Sequence, residues 1–285
     1  MPRRLSAWMD ERFPPVTYTA LVAIFGVAGL SVGWVTGGDR WGLAALPVVW
    51  LFFLHLRVLD EHKDFTNDVV AYPDRVLSRG VVTLSLLARL GAAAVVIQLL
   101  LSVWLGVPAL LAFFASLLFS LAMYVEFGVG KWLSKHLVLY ALTHNPVMVG
   151  LAILVIVSTG APLSVVHAGF IAFSCIAMLG FEFGRKIRLP EEEHPGVPSY
   201  TSELGQGRAR ALLTLTHLGS AAALVWLLWS LSVPTAMIGV AALAVTVPGV
   251  ATSVGRQRAK QVELGASLVL LVGLLTMSVM TWVTA

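Results

Sequence analysis

The sequence predicts an all-helical integral membrane protein, from its composition and from the length of its apolar stretches. Of the 285 residues, 58% are hydrophobic and only 12% are charged, whereas soluble domains contain about 25% charged residues. Nine apolar stretches each approach the roughly 20 residues that a membrane-spanning helix needs. They are too uniformly apolar for the strands of a membrane barrel, which alternate over about ten residues. A water-soluble globular domain is therefore excluded.

The nine spans are expected to form one domain over residues 1–285, bundled around a central cavity with a polar cap on the cytoplasmic side. In chain order they lie at 15–37, 42–59, 82–105, 107–125, 137–158, 163–183, 209–232, 234–253 and 262–283. The segment before the first span lacks the short apolar core and the small-residue cleavage site of a secretory signal, so this span is expected to be retained. The single cysteine, Cys175, lies within an apolar stretch, which argues against a disulfide framework.

The basic residues predict how these helices are oriented. If the N-terminus is cytoplasmic and nine spans alternate, 17 of the 19 Lys and Arg residues fall on the cytoplasmic side, Arg40 falls outside, and Arg89 falls within the third span. Lys and Arg are enriched in the cytoplasmic loops of membrane proteins. We therefore expect a multi-pass protein of a bacterial-type inner membrane, with the N-terminus and the long polar loops in the cytoplasm.

The first long cytoplasmic loop contains regularly spaced carboxylates. Asp60, Asp64 and Asp68 are four residues apart, and Glu61 adds a fourth acid, so these side chains share one face if the second span continues as a helix. Mg²⁺ binds carboxylate oxygens together with substrate phosphates, and Arg75 suits bidentate phosphate binding. The loop is predicted to hold Mg²⁺ and a phosphate-containing ligand. The alternative is a solvated loop with ordinary charges.

The second long loop lies on the same face and places basic residues beside acidic ones. Its charged residues at and after the end of the sixth span are Glu182, Arg185, Lys186, Arg188, Glu191, Glu192 and Glu193. This combination also suits a metal ion and a diphosphate. The alternative is a basic membrane anchor beside a charged loop.

Nine helices with acidic motifs after the second and the sixth resemble the UbiA superfamily of intramembrane prenyltransferases. The first motif of that family reads Asn-Asp-x-x-Asp-x-x-x-Asp, followed by an Arg-Pro segment and a Gly. The matching positions here are Asp60, Glu61, Asp64, Asp68, Arg75, Val76 and Gly80. Val76 replaces the proline, and the changed positions of the acidic pattern keep an oxygen ligand.

The second motif of the family is matched in part. Family members often read Arg-Glu-x-x-Lys-x-Ile into Asp-x-x-x-Asp, then Gly-Val and a hydroxyl residue. The matching residues are Glu182, Arg185, Ile187, Gly196, Val197 and Ser199. The first Asp of the pair falls on Leu189 or Arg188 and the second on Glu193 or Glu192, so one expected ligand is absent.

The resemblance implies a Mg²⁺-dependent enzyme that ionises an isoprenyl diphosphate and transfers the prenyl group to an aromatic or lipidic acceptor. Mg²⁺ would act as a Lewis acid on the departing diphosphate. The implied metal ligands are Asp60, Glu61, Asp64, Asp68, Glu192 and Glu193. The implied diphosphate-binding residues are Arg75, Lys131, Lys135, Arg185, Lys186 and Arg188.

Further residues are predicted to line the reaction cavity, namely Glu182, Tyr140, His144 and Asn145. His144 and Asn145 precede Pro146 inside the fifth span, where polar side chains are costly. They are expected either to orient an acceptor or to close a helix kink at the proline. Aromatic rings could shield an allylic cation or anchor helix ends at the membrane interface; the candidates are Phe65, Tyr124, Phe127 and Tyr140.

Two other functions stay open at this point. A UbiA-type terpene cyclase would ionise the same substrate and quench the cation internally. A cation transporter would use the carboxylates as a permeation site, although transporter sites usually lie near the bilayer midplane and these acids gather on one face. The expected partners are an isoprenyl diphosphate and membrane lipids, with no nucleic acid and no obligate protein partner.

Overall fold

A computed structural model of the chain describes residues 2–193 and 197–283, which form helices and turns and no β-strand. The helices are α1 Pro2–Arg12, α2 Pro15–Val35, α3 Ala45–Ala71, α4 Leu84–Leu105, α5 Val107–Tyr124, α6 Gly130–Leu133, α7 Leu137–His144, α8 Val147–Val157, α9 His167–Gly184, α10 Tyr200–Leu204, α11 Gln206–Ser230, α12 Thr235–Ser253 and α13 Ala259–Val283. Two short 3₁₀ turns lie at Glu126–Gly128 and Pro190–Glu192.

Local sequence signals set several helix ends. Pro15 begins α2, because proline needs no hydrogen-bond partner in the first helical turn. Thr83 caps α4, since its Oγ1 accepts the backbone N–H of Leu86 at 3.3 Å. Gly106 separates α4 from α5 with a φ of 104°, a conformation that side chains other than glycine rarely adopt.

Eight of the nine predicted spans coincide with helices that are long and apolar enough to cross a membrane, and the chain is an integral multi-pass membrane protein. The ninth predicted span, 42–59, lies on α3, which is not one of these eight. Its C-terminal part is rich in charged side chains that begin at Arg57. The arrangement of nine spans therefore stays a prediction, as does their orientation.

The predicted span 137–158 is interrupted near its middle. The chain forms α7, turns at Asn145 and Pro146, and continues as α8. Proline has no N–H for the helical hydrogen bond, and its ring collides with the carbonyl one turn earlier. The Asn145 amide Nδ2 donates to the carbonyl oxygen of Cys175 at 2.8 Å and lies 2.9 Å from its Sγ, which ties the break to α9.

The long helices pack as a ring in chain order. Contacts run from α2 through α3, α4, α5, α8, α9, α11 and α12 to α13, and α13 packs back on α2. Large aromatic side chains, among them Phe25, Phe52 and Phe170, are fully or almost fully buried in the core. At Gly273 an added Cβ would lie 2.0 Å from the Phe173 ring, so only glycine permits α13 to approach α9 this closely.

Candidate active site

The polar residues gather at one end of the ring, where α3, α5, α9 and α12 finish and α4, α7, α11 and α13 begin. The first predicted loop is largely helical there, because α3 continues to Ala71. The acids were predicted to share one face if the second span continued as a helix, and α3 does continue through them.

One face of α3 joins the acidic end to the membrane-embedded part of the bundle. On this helix Asp60 and Asp64 follow Phe53 by seven and eleven residues, which correspond to about two and about three helical turns. Phe53 lines a cavity between the helices, and Asp60 lines a smaller one beside His144. Asp60 and Asp64 therefore lie on the same face of α3 as Phe53, nearer to the polar end of the bundle.

The other two acids of the first motif point elsewhere. Glu61 is only 2% exposed and its Oε1 accepts Arg12 Nε of the N-terminal helix at 2.6 Å. Asp68 accepts a hydrogen bond from Arg75, and its Oδ2 lies 3.6 Å from Arg12 Nη2. Both carboxylates are thus neutralised by arginines. Their role as metal ligands stays a prediction, and binding a metal would require these ion pairs to open.

The N-terminal helix α1 is held against this region by packing as well as by charge. Trp8 and Phe13 are fully buried in an apolar cluster that includes Phe65 from α3. The carboxylate of Glu11 accepts the backbone N–H of Val76 at 3.1 Å. The predicted aromatic candidate Phe65 therefore packs beneath α1.

Two residues that sequence reasoning did not single out complete the acidic end. Lys63 Nζ donates to Tyr140 Oη at 2.5 Å and lies 3.8 Å from Glu126 Oε1. Lys63 appeared in the sequence only as one of many cytoplasmic basic residues. Glu126 is followed by Gly128 and Gly130, and an added Cβ at Gly130 would lie 1.9 Å from Glu126 Oε2. This glycine pair was the signal that could have identified Glu126.

The backbone that presents Glu126 is strained. Glu126 and Phe127 have φ values of 49° and 53°, in the left-handed region that costs non-glycine residues of order 1 kcal/mol or more each. Strain of this kind persists only where the surroundings hold it and is concentrated at functional sites. In this conformation the carboxylate of Glu126 lies 3.8 Å from Lys63, which lines the small cavity.

His144 presents one ring nitrogen to the interior. Its ring stacks on Tyr140 with centroids 4.0 Å apart, and Phe127 meets its edge at 5.6 Å. Its Nδ1 lies 2.8 Å from the backbone carbonyl of Tyr140, so this nitrogen carries the proton and Nε2 is the acceptor. Nε2 is buried without a hydrogen-bond partner among the described residues, on the wall of the small cavity that Asp60 and Tyr124 also line.

The basic residues at the end of α9 are paired with Glu182. The carboxylate of Glu182 accepts Arg185 Nε and Lys186 Nζ, each at 2.6 Å. Glu182 therefore orients two predicted diphosphate-binding cations. Arg185 also lines the interhelical cavity that Phe53 lines, which places one cation at the polar end of an apolar space.

The acids of the second motif are used in the loop between α9 and α11. Glu192 Oε2 accepts the backbone N–H groups of Leu189 and Ala259 at 3.1 and 2.9 Å, and these hydrogen bonds lower the pKa of the Glu192 carboxyl. Glu193 Oε1 accepts the hydroxyls of Ser199 and Thr201 at 2.5 and 2.7 Å. Their predicted metal-binding role is untested, and in this arrangement their oxygens hold the loop.

The remaining predicted residues are less closely tied to the site. Arg188 has a buried Nη1 without a partner among the described residues, and its backbone N–H donates to Thr201 Oγ1 at 3.1 Å. Lys131 and Lys135 are exposed on and just after α6. Gly196 of the second motif lies outside the described residues.

The apolar space below the charges has a volume of about 450 Å³ and lies between α2, α3, α9 and α13. Its walls are mostly hydrocarbon and aromatic, and its polar end is marked by Arg185. The lining residues include Tyr18, Leu21, Ile24, Phe53, Met178, Phe181 and Leu270. An elongated apolar group with an anionic head fits this division of chemistry.

The acids of the site fit a Mg²⁺ ion that is shared with a phosphate ligand. Across residues 2–193 and 197–283, no group of three or more His, Cys, Asp or Glu side chains is arranged to hold a metal ion alone. Mg²⁺ commonly takes one or two carboxylates and completes its shell with phosphate oxygens and water. Asp60 and Asp64 supply two carboxylates on one helix face, and Asp60 Oδ2 lies 3.7 Å from Arg57 Nη1.

Comparison with solved structures identifies the class of fold. A structure concerned with digeranylgeranylglyceryl phosphate synthase in membranes is 15% identical, covers 98% of this chain and 99% of its own, and has a TM-score of 0.69. The apo structure of a UbiA homolog from Aeropyrum pernix K1 is 17% identical, covers 91% of this chain and 96% of its own, and has a TM-score of 0.66. No protein-family model and no curated protein matches the sequence.

The chain therefore has the UbiA-type fold of helical membrane proteins, as its two acidic motifs predicted. This likeness extends over nearly the whole chain. It establishes the arrangement of the helices, whereas the chemistry depends on the residues of the site.

Proposed function

We propose that the protein is a Mg²⁺-dependent intramembrane enzyme that ionises an isoprenyl diphosphate and transfers the prenyl group to an aromatic or lipidic acceptor. The observation that carries the proposal is the alignment of Phe53, Asp60 and Asp64 on one face of α3. Two carboxylates thus share a helix face with Phe53, which lines an apolar cavity of about 450 Å³. Arg185 lines the polar end of the same cavity. An anionic head and an apolar tail are the two parts of an isoprenyl diphosphate, and the solved structures of the same fold include a prenyl-lipid synthase by name.

In this proposal the carboxylates of Asp60 and Asp64 would hold the Mg²⁺ ion. The bound metal would supply Lewis-acid neutralisation of the leaving group. Arg185 and Lys186, held in place by Glu182, add positive charge where the negative charge of the leaving group develops. The tail lies along Phe53 and the other cavity walls, which exclude water from the allylic cation.

His144 is proposed to accept the proton that the reaction releases. Its Nε2 is buried and lacks a partner among the described residues, and its Nδ1–H donates to a backbone carbonyl at 2.8 Å. A neutral imidazole with one bare nitrogen is a general base. The nearby pair of Lys63 and Tyr140, 2.5 Å apart, keeps positive charge beside the acids when the diphosphate is bound.

One observation favours a terpene cyclase as the second candidate. The cavity beside His144 has a volume of only about 20 Å³, which admits a water molecule but no aromatic ring. A cation formed beside this cavity would therefore be quenched by water or by a double bond of the prenyl chain itself. A cation transporter has no comparable support, because the acids gather at one end of the bundle.

Incubation of the purified protein with Mg²⁺ and geranyl, farnesyl or geranylgeranyl diphosphate tests the proposal. Each donor is supplied with and without an aromatic or lipidic acceptor, and the extract is analysed by mass spectrometry. A prenylated acceptor is the expected product. A cyclic hydrocarbon or terpene alcohol formed without acceptor would establish the cyclase instead, and no diphosphate release under any condition would overturn both.

A further inference from the structure

The end of the bundle opposite the acidic site contains a third cavity, which the proposed function does not use. It has a volume of about 300 Å³ and lies between the end of α2, the following loop and the end of α13. Three indole rings, a carboxylate and a guanidinium line it: Trp34, Trp41, Trp282, Asp39 and Arg40.

The three indole rings lie together in one corner of the cavity, and hydrogen bonds orient two of them. Trp34 lies between the other two, with ring centroids 5.4 Å from Trp41 and 5.7 Å from Trp282. Trp34 Nε1 donates to the backbone carbonyl of Arg40 at 2.7 Å, and Trp282 Nε1 donates to Ser31 Oγ at 3.2 Å. These hydrogen bonds orient the rings of Trp34 and Trp282, and Trp41 packs edge-on against Trp34. Indole faces attract ammonium groups.

The backbone of the two charged residues is also held in place, and their side chains are exposed, Asp39 by 78% and Arg40 by 61%. The backbone N–H groups of Asp39 and Arg40 both donate to the carbonyl of Thr159 at 2.9 Å. An added Cβ at Gly160 would lie 2.3 Å from Asp39 Oδ1, so this glycine leaves room for the carboxylate. Arg40 Nε lies 3.7 Å from Asp39 Oδ1, and its Nη1 donates to the carbonyl of Leu105 at 3.4 Å. The result is an adjacent negative and positive charge beside the indoles.

We propose that this cavity binds the zwitterionic headgroup of a membrane phospholipid. The ammonium would lie against the indole faces and Asp39, and the phosphate would lie at Arg40. The charge pair is complementary to such a headgroup, whereas an anionic lipid has no group for the indoles and would be repelled by Asp39. The cavity also lies at the ends of two membrane-spanning helices, α2 and α13, which is the depth of lipid headgroups.

Native mass spectrometry of the full-length protein in maltoside micelles tests this site. The probes are dihexanoyl phosphatidylcholine, phosphatidylethanolamine and phosphatidylglycerol, with free phosphocholine as the arm that lacks acyl chains. The variants are Trp41→Ala and the isosteric Asp39→Asn. The matched control is Trp229→Ala, because Trp229 is 68% exposed at the same end of the bundle and Trp41 is 72% exposed.

We expect the choline and ethanolamine lipids to bind, and each of the two site variants to weaken this binding about five- to tenfold. Trp229→Ala should bind like the unchanged protein. Equal binding of phosphatidylglycerol, or an equal loss in Trp229→Ala, would overturn the proposal and leave only an interfacial tryptophan belt. Equal binding of free phosphocholine would overturn the assignment to a lipid. Circular dichroism of each variant shows that the fold is kept.

Discussion

Glu61 could serve either as a metal ligand or as the residue that anchors the N-terminal helix. Replacing it by Gln distinguishes these two roles and is the sharpest test of the site. The motif resemblance assigns Glu61 to the metal, whereas the structure pairs it with Arg12 at 2.6 Å and leaves it 2% exposed. Glu61→Gln keeps the size of the side chain and removes its charge. We expect the N-terminal helix to open more often and the Mg²⁺ requirement to stay unchanged.

The size of the effect follows from the burial of the pair. Breaking a deeply buried ion pair costs about 3–5 kcal/mol, but Arg12 is 18% exposed and keeps Asp68 at 3.6 Å as a second partner. Glutamine also retains a hydrogen-bond acceptor for Arg12. We therefore expect a loss of about 1–2 kcal/mol, which raises the open population of α1 roughly five- to thirtyfold.

Hydrogen exchange of residues 2–12 in detergent measures that population directly. Arg12→Gln should produce a similar acceleration, and the double variant should show less than the sum of the two single effects, because both changes remove the same pair. The activity assay with varied Mg²⁺ supplies the second measurement. Unchanged exchange together with a tenfold higher Mg²⁺ requirement in Glu61→Gln would refute the structural assignment and restore Glu61 as a ligand.

Three further predictions concern other parts of the site. Asp64→Asn should lower Mg²⁺-dependent turnover at least a hundredfold, about 3 kcal/mol of transition-state stabilisation, and leave the melting temperature within about a degree; near-normal turnover would remove Asp64 from the metal site. Gly130→Ala should lower both activity and melting temperature, because the added methyl displaces the carboxylate of Glu126; an unchanged rate would show that the position of Glu126 is unimportant for turnover. Glu192 has a pKa lowered by two backbone N–H donors, so its stabilisation is present above the ordinary Glu pKa of about 4.3 and disappears as the pH falls through the lower folded value. The melting temperatures of the unchanged protein and of Glu192→Gln should therefore converge below about pH 4, and a constant difference would contradict this role.

The sequence predicted the shared helix face of Asp60 and Asp64 but not the hydrogen-bond partners of Glu192 and Glu193, because helical spacing is a local property. Asp60 and Asp64 are one turn apart, so their common face follows from the continuation of α3 alone. Glu192 and Glu193 lie in an irregular loop, where the partners of each oxygen depend on residues far along the chain, such as Ala259. No spacing rule identifies such partners.

Lys63 and Glu126 illustrate the same limit for the candidate site. In the sequence each looks like an ordinary charged residue of a cytoplasmic segment, and the two are 63 residues apart. They become neighbours at 3.8 Å only because α5 ends beside α3 and the chain then turns through two left-handed residues. Tyr140 reaches Lys63 from α7, a third segment of the chain.

The sequence by itself determined that the protein is helical and embedded in lipid, that its charges lie chiefly in two loops, and that one helix presents an acidic face. These properties depend on composition and on periods of a few residues, which side-chain transfer energies and helix geometry translate directly into structure. The tertiary structure alone decided which of the acids pair closely with arginines of other segments. Glu61 and Asp68 meet arginines from α1 and from the loop after α3, whereas Asp60 and Asp64 lie on the helix face that includes Phe53 of the apolar cavity. Neighbours contributed by distant segments determine that difference, because electrostatic pairing depends on distance in space and not along the chain.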